Sequence, residues 1–271
     1  MKIESITPAI GAVIHGLNLS DTRAITEHAQ ALRDALAERQ VLFFHDQNLT
    51  PDAQVAFART FGEVLPVAST FPVHPDNAYL ELLISQGKKT GTDIWHADMT
   101  WQKSPPAATC LYAVEVPETG GDTMWASMGC AFESLSPALQ HYFDGMTAVH
   151  NWEAPELVRS VMSKEDGAQR YRNMRLESPP IDQPVVLTHP VTGRKLLFVN
   201  SLYTTFINNM GREESAHWIT YLSGLAKVPE WQVRFRWRKG SVAVWDNIAT
   251  QHYAVNDYHP APRRMHRVTI R

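Results

Sequence analysis

Apolar residues recur along the chain at two spacings. Ile25, Ala29, Leu32 and Leu36 fall on one helical face, and Ser20 and Asp21 just before them can accept hydrogen bonds from the free N–H groups of a first turn. The spacing predicts an amphipathic helix, preceded by a short extended segment over residues 10–19. The run Val41-Leu42-Phe43-Phe44 predicts a buried strand. Thr50-Pro51 predicts a second helix, capped by threonine with proline in its first turn and ending near Gly62.

From residue 79 onward the period shortens. Residues 79–85, 107–114, 122–126, 147–152 and 185–188 are short, apolar or β-branched and mostly separated by turn signals, so each reads as a strand. Val191-Thr192-Gly193-Arg194 predicts a turn between two of them. Residues 231–237 alternate as a strand with one buried face, which leaves Arg234, Arg236 and Arg238 on a solvated face. A helix carrying Trp218, Tyr221, Leu222 and Leu225 lies before it, and residues 241–245 and 263–270 are again strand-like. Many short strands with a few covering helices predict a mainly β fold, a double-stranded β-helix or jelly-roll barrel whose interior can hold a ligand. Residues 1–271 are read as one domain. Residues 67–77 and 153–180 break the pattern as irregular stretches and are candidate lids.

Composition narrows the function. A formal net charge of -3 provides no basic footprint for nucleic acid. No apolar run reaches membrane-spanning length, and Met1-Lys2-Ile3-Glu4-Ser5 lacks the core of a signal peptide, so a cytoplasmic protein is expected, without membrane partners. Cys110 and Cys130 are too few for a disulfide framework or a structural zinc site and read as buried free thiols. Twelve histidines remain, and chemistry is sought among them.

A facial iron site needs two histidines and one carboxylate. His74-Pro75-Asp76 has proline at its centre and reads as a turn. His96-Ala97-Asp98 alternates in the strand sense, which points His96 and Asp98 to one side of the backbone. The other histidines read as surface or hydrogen-bonded core residues, although His150 and His189, in predicted strands, could line the cavity.

Trp95-His96-Ala97-Asp98, Gly120-Gly121-Asp122-Thr123, Trp245-Asp246-Asn247, Gln251-His252-Tyr253 and Arg263 to Arg267 occur in one order. Together they resemble the taurine dioxygenase and 2,4-dichlorophenoxyacetate dioxygenase family, over nearly the whole chain. The resemblance implies an iron(II)- and 2-oxoglutarate-dependent dioxygenase that consumes O2 and releases succinate and CO2. It places the iron on His96, Asp98 and His252, and 2-oxoglutarate on Thr123 and Arg263, with Trp245 walling the iron site. Arg267 is implied to hold the substrate head group. The physics agrees, because arginine offers a carboxylate a fork of paired donors. On a strand, Arg263, Met265 and Arg267 share a face while Arg264 and His266 take the other. Two buried arginines each need an anion, either a ligand or a structural carboxylate such as Asp246 or Asp257.

The chain departs from the taurine-specific pattern. Val67, Thr70 and Thr92 stand near the positions where a histidine, a tyrosine and an asparagine would meet taurine, so the pocket is less polar. With Phe71 and Arg267, these residues predict a small anionic organic substrate with an apolar body: an alkyl sulfate, a sulfonate or an aryloxyalkanoate. Three alternatives stay open: taurine dioxygenase proper, a non-catalytic small-anion-binding jelly roll, and a zinc hydrolase. A homo-oligomer is expected on general grounds.

Overall fold

The computed structural model describes residues 1–68, 71–86 and 93–271, which are mainly sheet with helices laid over it. The largest sheet has eight strands, in the spatial order Lys2–Ser5, Ala12–His15, Val41–Phe44, Val242–Asp246, Ala108–Glu115, Pro262–Ile270, Asn77–Gln86 and Val73–His74. Ala12–His15 and Val41–Phe44 pair in parallel, which the helix Thr22–Arg39 between them makes possible as a crossover. A three-stranded sheet of Gln232–Phe235, Thr123–Ser127 and Thr250–Ala254 lies across the core from it.

The period-two pattern explains how the large sheet is covered on both faces. Leu42, Phe44, Cys110, Tyr112, Val242, Val244, Val268 and Ile270 point one way and bury against Ile25, Leu32, Leu36, Val55 and Phe57 of the two early helices. Val41, Phe43, Leu111, Ala113, Ala243, Trp245 and Met265 point the other way and meet Trp125, Val233, Phe235 and Trp237 of the smaller sheet. Strand 232–235 alternates as its sequence requires: Val233, Phe235 and Trp237 are buried, while Arg234, Arg236 and Arg238 are exposed. The first helix takes Asp21 as its cap, with Oδ1 accepting from the N–H groups of Arg23 and Ala24.

Several elements differ from the sequence reading. Residues 153–180 are not irregular, because Pro155–Met162 and Gly167–Glu177 are helices. Pro155 sits in the first turn, where its missing N–H costs nothing. Leu157, Val158 and Val161 then pack with Met174 around Trp101, Trp152 and Tyr203, and this burial holds a polar stretch in place. Strand Lys2–Ser5 and the short helices Met128–Glu133 and Pro137–Phe143 were not expected either. Within 67–77, Val73–His74 adds a short antiparallel strand to Asn77–Gln86, with Pro75 and Asp76 in the turn. Cys110 is buried and Cys130 half-buried, both as free thiols. Among the described residues no helix is long and apolar enough to cross a membrane.

Candidate metal centre and ligand cavity

His96 and His252 are far apart in sequence yet form one antiparallel bridge, with His96 N–H donating to His252 O at 3.1 Å and His252 N–H to His96 O at 2.8 Å. A hydrogen-bonded antiparallel pair sets two side chains on one side of the ladder. Their rings stand 4.2 Å apart between centroids. Beyond His96 the backbone leaves strand geometry: Asp98 begins a turn, and Met99 lies at φ 52°. His96 and Asp98 therefore converge through a bridge and a turn, not along a regular strand as the alternation suggested. The ligating atoms of His96, Asp98 and His252 lie within 4.8 Å of one another, and all three residues are buried.

Hydrogen bonding fixes how these groups face. His96 Nδ1 stands 2.7 Å from Ile94 O, which requires the proton on Nδ1 and leaves the Nε2 lone pair free. Nε2 of His96 and of His252 point at Asp98 Oδ1, at 3.7 and 3.8 Å. Burial pushes the His96 imidazole below its usual range and, with the neighbouring His96, takes His252 down to about 3. Both rings are therefore neutral at pH 7, as ligation requires. Burial alone would raise the Asp98 carboxyl, but the charge of Arg267 opposes it and the carboxyl is held low. Asn247 fixes the Asp98 backbone: its Oδ1 accepts from Asp98 N–H at 2.7 Å, and its Nδ2 donates to Asp98 O and Pro106 O, each at 3.0 Å. The donor set of two neutral imidazoles and one carboxylate fits a divalent metal of the iron(II) class.

The triad opens into a cavity of about 420 Å³. Thr123 and Arg263 both line it. Thr123 is delivered by the Gly120-Gly121 turn, where both residues have positive φ and a Cβ on Gly120 would come within 2.6 Å of Asp257 Oδ1. Its Oγ1 accepts from Trp237 Nε1 at 2.9 Å, so its own proton is free for a ligand. Arg263 has no carboxylate partner among the described residues, and its Nε is buried without a hydrogen bond. Burial lowers its pKa, the expected consequence of a guanidinium without a counter-charge. A buried fork of this kind fits the far carboxylate of a 2-oxo acid. Trp245 also lines the cavity, with its ring 5.1 Å from that of His252 and its Nε1 unpaired.

Arg267 meets a carboxylate within the chain, and it is Glu81 in place of the expected Asp246 or Asp257. Glu81 Oε2 accepts from Arg267 Nε at 2.9 Å and Nη2 at 2.7 Å, while Nη1 lies 3.4 Å from both Asp98 oxygens. Burial would lower the pKa of Arg267, but the two carboxylates raise it above the usual arginine value. Asp246 instead receives His189 Nε2 at 2.9 Å, and Asp257 caps Gly121 N–H at 2.8 Å.

Phe71 lines the cavity, with its ring 5.9 Å from the Arg267 guanidinium. Val67 is half-buried, gives its N–H to Ala78 O and is not part of the cavity wall. Thr70 and Thr92 lie outside the described residues. His150 and His189 are buried and hydrogen-bonded, His150 between the hydroxyls of Thr100 at 2.8 Å and Thr204 at 3.1 Å. The sequence reading missed Glu81, Tyr203 and Leu157, all on the cavity wall, and the clamp formed by Asn247. Only Asn247 carried a signal, as a buried amide beside the Trp245-Asp246 pair.

Two neutral histidines and a carboxylate lining one buried cavity are the donor set of the facial-triad class of non-haem iron oxygenases. Residues 2–269 match the model of the taurine catabolism dioxygenase TauD, TfdA family, and the chain belongs to that family. It is 35% identical over 277 residues to an alpha-ketoglutarate-dependent sulfate ester dioxygenase of Pseudomonas putida, covering 100% of this chain and 89% of the relative. An alkylsulfatase of Acinetobacter baylyi is 33% identical over 273 residues, with 100% and 84% covered. The crystal structure of a taurine dioxygenase from Burkholderia xenovorans matches with a TM-score of 0.84 at 30% identity, over 99% of this chain and 88% of that one. The family implies iron(II), 2-oxoglutarate and dioxygen.

Proposed function

We propose that this chain is an iron(II)- and 2-oxoglutarate-dependent dioxygenase that hydroxylates a small organic substrate of the alkyl sulfate, sulfonate or aryloxyalkanoate type, with release of succinate and CO2. The observation that carries this reading is the convergence of His96, Asp98 and His252 beside the unpaired buried guanidinium of Arg263 in one cavity. His96, Asp98 and His252 hold the metal, and Thr123 and Arg263 hold 2-oxoglutarate. Iron(II) with 2-oxoglutarate supplies oxygen activation and hydrogen-atom abstraction when bound.

The chain's own residues bind, orient and exclude water. Arg267 and Phe71 receive the substrate head, and the apolar wall of Leu83, Leu111, Leu157 and Leu202 receives its body. Helices Pro155–Met162 and Gly167–Glu177 serve as a lid, since Leu157 and Ser160 line the cavity while Glu153 ties the second helix down through Tyr171 Oη and Arg175 Nε. Residues 67–77 contribute a second edge through Phe71. The large sheet and the sheet of strand Thr123–Ser127 form the two walls of a jelly roll. Named relatives acting on a sulfate ester and an alkyl sulfate support the substrate class.

Anaerobic titration of the protein with iron(II) and 2-oxoglutarate tests the reading. A visible charge-transfer band that is lost in His96→Ala, with substrate-stimulated succinate formation, is expected. Iron binding without a band removes the 2-oxoglutarate assignment. Stimulation by taurine, and by none of the alkyl sulfates, longer sulfonates and aryloxyalkanoates with apolar bodies, removes the proposed substrate class.

A further inference from the structure

Arg267 is already paired before any substrate arrives. Glu81 on strand Asn77–Gln86 is its direct Cα partner across the ladder, and both side chains line the cavity. The side chain of Glu81 is 5% exposed and that of Arg267 15%. Glu81 takes the edge of the guanidinium made by Nε and Nη2, so the donors left for a ligand are those of Nη1 and the second N–H of Nη2. Nη1 now lies near Asp98, which the proposed function gives to the metal.

Charge follows from this geometry. Among the described cavity residues the permanently cationic groups are Arg263 and Arg267. Arg263 is committed to 2-oxoglutarate, and Glu81 neutralises Arg267. An acid that docks on the free edge of Arg267 therefore leaves one negative charge uncompensated beside a buried carboxylate, which is unfavourable where both Glu81 and Arg267 are this far removed from solvent. A neutral acceptor such as a carbonyl takes the same N–H donors without that penalty.

We infer that Glu81 is a specificity-determining residue that charge-balances Arg267, so that the head-group site accepts an uncharged hydrogen-bond acceptor, a carboxamide or ester, about as well as the corresponding acid. This rests on the reading of the cavity as the substrate site.

Matched pairs test it, each an acid and its primary amide: phenoxyacetate with phenoxyacetamide, and straight-chain alkanoates with their amides. Binding is measured by anaerobic calorimetry on the iron- and 2-oxoglutarate-loaded protein, beside succinate formation in air. In the wild type, acid and amide are expected to bind within about tenfold of each other. Glu81→Gln keeps the shape and an acceptor oxygen but drops the charge, and is expected to shift the ratio toward the acid by roughly tenfold or more. A wild-type preference for the acid above about a hundredfold overturns the inference. So does an E81Q variant that weakens acid and amide equally, which would make Glu81 only a support for Arg267, and so does failure of every pair to bind. If E81Q does not fold, the wild-type ratio decides alone. A binding ratio that shifts as expected while no succinate forms upholds the role of Glu81 and refutes the hydroxylation reading instead.

Discussion

Asn247 touches no ligand, yet it carries much of the burden of placing Asp98. It is fully buried, and its amide makes three hydrogen bonds, two to the Asp98 backbone and one to Pro106 O. Asn247→Ala removes all three and leaves the Asp98 N–H and two carbonyls without this partner in a dry region. At about 1 kcal/mol for each bond, and up to twice that where the abandoned group stays unsatisfied, the loss of stability is roughly 3 to 6 kcal/mol. A water entering the vacated space moves the result toward the lower figure. The turn at Asp98 and Met99 then loosens, and a carboxylate oriented less well weakens metal binding by roughly 10- to 100-fold. Urea unfolding of the metal-free protein reads the first effect, and anaerobic iron(II) titration of the still-folded variant reads the second. An N247A protein within about 1 kcal/mol of wild-type stability, with iron affinity changed less than about twofold, refutes the reasoning.

Other predictions follow from single groups. Burial holds His150 down to about 4, against ~6.5 in an unfolded chain. Between these values the unfolded state binds a proton that the folded state refuses, so stability falls by up to ~3 kcal/mol as pH drops from ~6.5 to ~4, and levels off below. His150→Gln should flatten that part of a urea-midpoint profile against pH, and an unchanged slope would count against it. Arg263→Lys keeps the charge but loses the fork, and should raise the apparent Kd for 2-oxoglutarate by roughly 10- to 100-fold with iron affinity intact, measured from the charge-transfer band. Trp152 is fully buried under the two helices of 153–180. Trp152→Ala should cost about 3 to 5 kcal/mol and speed proteolysis within that segment, and equal cleavage rates would mean that the cluster does not hold the helices down.

The strands were legible because alternation is a local signal. Val233, Phe235 and Trp237 declared their buried face without reference to any neighbour. The order of the ligand motifs was legible for a related reason, since His96, Asp98 and Arg263 lie in short patterned stretches. What depended on register was not. Nothing near Glu81 announces that it will stand opposite Arg267, because cross-strand pairing joins residues whose sequences share no pattern. The same holds for the bridge from His96 to His252. Helix Pro155–Met162 was readable in principle from Pro155, Leu157, Val158 and Val161, but the charges around it hid a short apolar stripe. Val67 was assigned to the pocket by its position along an irregular segment, and position there does not say which way a side chain turns.

The bridge between His96 and His252 is made wholly of main-chain atoms. Any residue other than proline at either position can keep both hydrogen bonds, so the frame of the site is independent of the side chains that do its chemistry. The metal site is in this sense a socket. Its ligands can be exchanged, for instance histidine for glutamine or cysteine, with the two chain segments still joined. Lineages bearing this frame could therefore alter metal preference or lose the metal one side chain at a time while the protein remains folded.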